Sequence, residues 1–157
     1  MKTFTTYLKL SAMLFLALCM GGCSQEDDIE EIFCSGQWYL VNFFETTNWE
    51  STSSHGDKPI ITNPETSNKN RISITFYNDG SVKGTLANGE FTAQWQGDPT
   101  THAVTVTNVK TTVTPTGTSS EFINRLKKVS YYKGDSRTLQ LAPKEKTSYI
   151  QLNHNKD

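Results

Sequence analysis

The sequence is poor in the groups that carry chemistry. Its 157 residues include 3 histidines and 3 cysteines. His55, His102 and His154 are scattered, and the one candidate pair, His55 with Asp57, lies in a polar loop. Bound zinc needs a tighter cluster of ligands, so neither a metal nor another cofactor is expected. No Gly-x-Ser-x-Gly, phosphate loop or dinucleotide fingerprint occurs. Nothing near Cys34 marks a base that would activate it, so no residue is assigned a catalytic role. A basic surplus is also missing, with 15 Lys plus Arg against 16 Asp plus Glu. A nucleic-acid partner is therefore not expected. There is no repeat of fixed period, and the one long apolar run, Leu10 to Met20, is too short to span a bilayer.

That run has a clear reading. Lys2 and Lys9 precede it and Gly21 and Gly22 follow it, the charged, apolar and small-residue zones of a secretory signal. "MGGC", residues 20 to 23, resembles the lipobox of bacterial lipoproteins, with Met20 where leucine is usual. The resemblance implies cleavage after Gly22, acylation of Cys23 and a membrane held as partner through that lipid anchor. Acyl chains contribute about 0.8 kcal/mol per buried methylene, enough for two or three to hold a soluble domain on a bilayer. Loss of Lys2 and Lys9 lowers the basic count from 15 to 13 against 16 acids. Cys19 leaves with the signal and Cys23 carries lipid, so Cys34 is the remaining thiol and no intramolecular disulfide is expected.

"SQEDDIEE" after Cys23 holds five acids and no base, the composition of a solvated tether. It also resembles the acidic export signal of Gram-negative surface lipoproteins, which implies an outer-membrane, cell-surface location. The expected layout is a signal peptide over 1–22, a lipidated cysteine and acidic tether over 23–32, and a single domain over 33–157.

The domain reads as β-structure. "QWYLVNFF", 37 to 44, is aromatic and β-branched on both alternations and predicts a strand covered on both faces. Residues 45–70 are rich in Ser, Thr and Asn and predict a long loop with a short strand at Ile60–Thr62. Strands follow at "RISITFY", "SVKGTLA", "EFTAQWQ" and "HAVTVTNV", joined by turns at Asn78-Asp79-Gly80, Asn88-Gly89 and Gly97–Thr100. This is an antiparallel meander. At 118–129, Thr118 and Glu121 fit a capping box, and Phe122, Leu126 and Val129 share one helical face. Three short strands close the chain. A small barrel of about eight strands with one packed helix satisfies this count without two bare edges.

"GQW" at 36–38 is similar to the opening of lipocalin-like barrels, whose aromatic plugs one end. A wider set resembles the META domain of bacterial envelope proteins: Gly36, Trp38 and Leu40; Phe76, Gly80 and Gly84; Glu121, Phe122, Leu126 and Val129; and Leu139, Leu141, Ile150 and Leu152. This resemblance implies envelope association and a binding or structural role.

The remaining candidates are aromatic. Trp38 and Trp95 read as core. Trp49, in the polar stretch "TTNWEST", either presents an indole to a sugar or protein or folds back over the barrel mouth. Tyr131 and Tyr132 join it as candidates for ligand or partner binding. The expected function is non-catalytic: a small hydrophobic or carbohydrate ligand, or an envelope protein, bound by the anchored domain. The alternatives are a structural accessory with a filled barrel and a hydrolase built on carboxylates among Glu45, Glu50, Glu90 and Asp98. An interior cavity of roughly 300 Å³ or more would favour ligand binding, and a filled interior would favour the accessory role.

Overall fold

A computed structural model describes residues 29–154. The signal segment, Cys23 and the acids up to Asp28 lie outside the described residues.

The strands are β1 (Gln37–Glu45), β2 (Lys58–Pro59), β3 (Ser73–Phe76), β4 (Ser81–Leu86), β5 (Gly89–Asp98), β6 (Ala103–Thr111), β7 (Val129–Gly134), β8 (Thr138–Pro143) and β9 (Ser148–Asn153). Among the described residues three short helices accompany them: α1 (Ile29–Phe33), α2 (Pro64–Ser67) and α3 (Gly117–Leu126). All strand pairs are antiparallel. The meander β3 to β9 is closed by β1, which pairs with both β3 and β9, so eight strands form a barrel-like ring. The two residues of β2 add to the far end of β1, beyond the stretch that β3 covers.

Ladder lengths are uneven around the ring. β5 and β6 pair from Phe91↔Thr111 to Asp98↔Ala103. β6 and β7 meet at one ladder position, Ala103↔Tyr131, reinforced by the Tyr132 amide donating to the His102 carbonyl at 3.0 Å. This β6–β7 junction is a seam.

Alternation sorts the side chains. Trp38, Leu40, Phe43, Ile74, Phe76, Val82, Phe91, Leu139, Leu141, Ile150 and Leu152 point inward and are buried in one contiguous cluster. The ring is therefore filled by its own side chains. Gly84 makes room for one of them, since a Cβ there would stand 2.2 Å from the Phe91 ring and 2.5 Å from the Ser73 carbonyl oxygen. β1 is covered on its outer side too. A bulge between Leu40 and Asn42 resets its register, and Phe44 packs outside the ring with Trp49, Ala142 and Tyr149.

Both mouths are plugged. α3 caps the end where β1 finishes, burying Phe122, Ile123 and Leu126, while Ser119 Oγ accepts the Ala87 amide at 3.1 Å. α1 caps the other end. Phe33 is stacked on Trp95 at 4.8 Å and meets Phe76 and Tyr132 edge-on at 4.9 and 5.0 Å. Trp38 Nε1 donates to the Phe33 carbonyl at 3.0 Å, and the end of the Ile29 side chain occupies the space where a Cβ at Gly97 would stand.

The structure corrects four expectations. Residues 29–32 belong to the folded body rather than the tether, because Ile29, Ile32 and Phe33 bury one face of α1 while Glu30 and Glu31 stay exposed. The short strand in the long loop is Lys58–Pro59, not Ile60–Thr62, and the loop adds α2 and a 3-10 turn at Lys69–Arg71. α3 ends at Leu126, so Val129 opens β7 instead of closing the helix. No capping box forms: Thr116 is the N-cap, and Glu121 turns to Arg125, four residues on, at 2.6 Å.

Candidate functional site

Local alternation in β7 decides which candidate residues reach the surface. In "YYKG", Tyr131 and Lys133 share the outer side, and Tyr132 faces the core. Tyr132 is 3% exposed, held against Phe33 and edge-on to the His102 ring at 5.3 Å. It cannot present its ring to a ligand. Trp49 is also buried, at 6% exposure. It neither plugs a mouth nor stands free. The loop from Thr46 to Asp57 lays its indole on the outer sheet face, 5.8 Å from the Tyr149 ring. Tyr131 is the half-buried member of the three.

The lysine beside the tyrosines fastens that loop. Lys133 Nζ donates to the carbonyls of Trp49 and Ser51 at 2.6 and 2.8 Å and lies 4.5 Å from the Trp49 ring centroid. Burial pulls its pKa below the usual lysine range, and the charges of Asp57 and Glu50 oppose that shift. Asp57 also accepts the Tyr149 hydroxyl at 2.9 Å. Burial, and then this bond to a carboxylate, raise the Tyr149 pKa well above the ordinary phenol range.

These residues surround a cleft of about 340 Å³ at the β6–β7 seam. Trp49, Tyr131 and Tyr132 all line it, although two of the three are buried. Glu50, Thr101, His102, Lys133 and Lys146 supply its polar wall and Ile32 of α1 an apolar one. Lys146 bonds Glu50 at 2.8 Å and lies 4.4 Å from the Tyr131 ring centroid. That hydrogen bond and the lysine charge hold the Glu50 carboxyl below its usual range. The result is one partly covered aromatic ring bordered by a carboxylate, a hydroxyl, an imidazole and two ammonium groups. It can hydrogen-bond a polar ligand that has an apolar face.

The other residues singled out in the sequence do not join this site. Among the described residues that line the cleft, Glu50 is the one carboxylate. Glu45 borders a different cleft with Lys58 and Arg125, and Glu90 is exposed at the start of β5. Asp98 is tied into its turn by the Thr101 hydroxyl and the Thr100 amide, which depress its pKa. His55 is exposed in the loop, and among the described residues no three histidine, cysteine, aspartate or glutamate side chains come together as a metal site. Cys34 is half-buried against the core.

Sequence reasoning missed Lys133 and Lys146. A signal for the first was present, since Lys133 follows Tyr131 by two residues on a strand. Nothing local places Lys146 on the Tyr131 ring.

Comparison with solved structures places the fold among relatives. The chain is similar to a DUF4847 family protein from Bacteroides vulgatus, known from a crystal structure, at 34% identity and a TM-score of 0.70, covering 82% of this chain and 99% of that one. A protein from Burkholderia xenovorans solved by NMR shares the fold at 10% identity and a TM-score of 0.54, covering 81% of this chain and 86% of that one. No curated protein matches the sequence. The family model described as "Domain of unknown function (DUF4847)" matches residues 24–154, and the chain belongs to that family.

Proposed function

We propose that this protein is a non-catalytic lipoprotein, anchored through Cys23 to the outer membrane and exposed at the cell surface, whose ring is a solid scaffold for recognition on its outside. The observation that carries the binding role is the seam cleft. The half-buried Tyr131 ring lies there against the buried Trp49 and Tyr132, beside polar groups from the β5–β6 turn, β7, the β8–β9 turn and the Thr46–Asp57 loop. The filled interior favours the accessory alternative over a ligand held within the ring, so the proposal places the partner or ligand outside it. A closer kinship to META or lipocalin-like domains is part of the same proposal. It draws support from Trp38, fully buried beside the α1 plug as the aromatic of "GQW".

Mass spectrometry of molecules retained by the chain from Ser24 onward tests the binding role. A small molecule or envelope peptide retained by the parent chain and lost in Tyr131→Ala supports it. Retention unchanged by Tyr131→Ala, or turnover that disappears when Glu50 is replaced, contradicts it. Metabolic labelling with an alkynyl fatty acid tests the anchor. Label is expected on the parent chain and absent from Cys23→Ala.

A further inference from the structure

We propose a second binding site, independent of the seam cleft, for a small carboxylate ligand with an apolar body, in the groove between α3 and the β8–β9 hairpin. The groove is the largest of the clefts described, about 560 Å³, and Arg125 of α3 lines it. Arg125 is held on three sides. Its Nε donates to Glu121 Oε1 at 2.6 Å, its Nη1 donates to Ser148 Oγ at 3.2 Å, and its guanidinium lies 5.0 Å from the centroid of the Phe43 ring. A guanidinium has five N–H donors, and these contacts use two. Among the described residues the Nη2 group has no acceptor. The side chain is nonetheless only 23% exposed. An arginine fixed in place with three of its five donors unspent, both of Nη2 among them, is preorganised to receive a carboxylate in a two-pronged geometry, and little side-chain entropy remains to be lost on binding.

The surroundings define the rest of the ligand. Lys127 and Lys128 add positive charge, and Glu121 and Glu145 nearly balance it, which suits a singly charged anion better than a doubly charged phosphate. Pro143 offers the body an apolar wall, and Leu141 and Ile150 beneath it are turned into the core.

Amide NMR titration of the chain from Ser24 onward, which contains every described residue, provides the test with three probes: octanoate, octanol and acetate. Octanoate is expected to shift signals in the last turn of α3 and the first residues of β9, with octanol and acetate at least about tenfold weaker. Arg125→Gln is expected to weaken octanoate by about tenfold or more and leave octanol unchanged. Arg125 also braces α3, so Arg125→Lys accompanies it, keeping the charge and losing the two-pronged edge. It too is expected to bind octanoate more weakly. The proposal is overturned if octanoate leaves these signals unmoved, shifts another surface, binds no better than octanol, or binds Arg125→Gln and Arg125→Lys as tightly as the parent chain.

Discussion

α1 and α3 do the same work at opposite ends of one ring, and they are encoded differently. α3 spans ten residues with an apolar stripe of Phe122, Ile123 and Leu126, so its amphipathic pattern is local and strong. α1 spans five, too few to persist in water by itself. Its shape comes from the site it enters: the Trp95 face, the Phe76 and Tyr132 edges, the Trp38 indole and the notch at Gly97. A clasp from the far end of the chain completes it. His154 contacts the Ser35 hydroxyl at 2.9 Å and the Gln37 carbonyl at 2.8 Å, and its ring centroid lies 3.9 Å from that of Trp38. A plug with an amphipathic pattern of its own can be read from sequence. One that folds by docking is visible only when its receptor is.

The comparison can be broken first at the centre of each plug. Phe33 and Phe122 are both fully buried, and replacing either with alanine is expected to lower unfolding free energy by about 3–5 kcal/mol in equilibrium denaturation. A loss below about 0.5 kcal/mol for Phe33→Ala, the range of surface substitutions, would return α1 to the tether.

Ser119 lies in α3 and Ser35 two residues beyond the end of α1, and these two should separate. Ser119 is buried and accepts the Ala87 amide, so Ser119→Ala strands a donor and is expected to cost about 1–3 kcal/mol. Ser35 is less enclosed and shares its hydroxyl between the Ile32 carbonyl and His154. Ser35→Ala is expected to cost less in the same denaturation experiment, and the reverse order would contradict the account.

Acid distinguishes the two ends more gently. The hairpins at the α1 end contain Asp79, Asp98 and Asp135, whose pKa values are depressed chiefly by the Ser81 hydroxyl, the Thr101 hydroxyl and the Arg137 amide respectively. Carboxyls depressed in the folded state stabilise it above their unfolded pKa of about 3.9, and the contribution is lost as pH falls through the lower folded values. NMR titration is expected to place all three below the ordinary carboxylate range and to show the α1-end hairpins loosening before the α3 end. Titration in the ordinary range would remove this difference.

The contrast between the plugs also explains how much was legible in advance. Strands are legible where alternation meets a turn signal, as at Asn78-Asp79-Gly80 and Asn88-Gly89. The closing helix was found for its apolar stripe, but not its cap, since Glu121 had a better partner in Arg125. α1 escaped because its three apolar residues are embedded in an acidic run. In the candidate site, Tyr131 was identifiable as an aromatic on a short strand. The burial of Trp49 was not, because it depends on Lys133, 84 residues away.

Amide hydrogen exchange over residues 29–34 in the chain from Ser24 onward tests the central claim most directly. The Cys34 amide donates to the Glu30 carbonyl at 2.8 Å and follows Phe33 into the ring mouth. The account predicts protection there comparable to that of β1, because opening α1 uncovers the core. Exchange at the rate of a free chain, with β1 still protected, would contradict it.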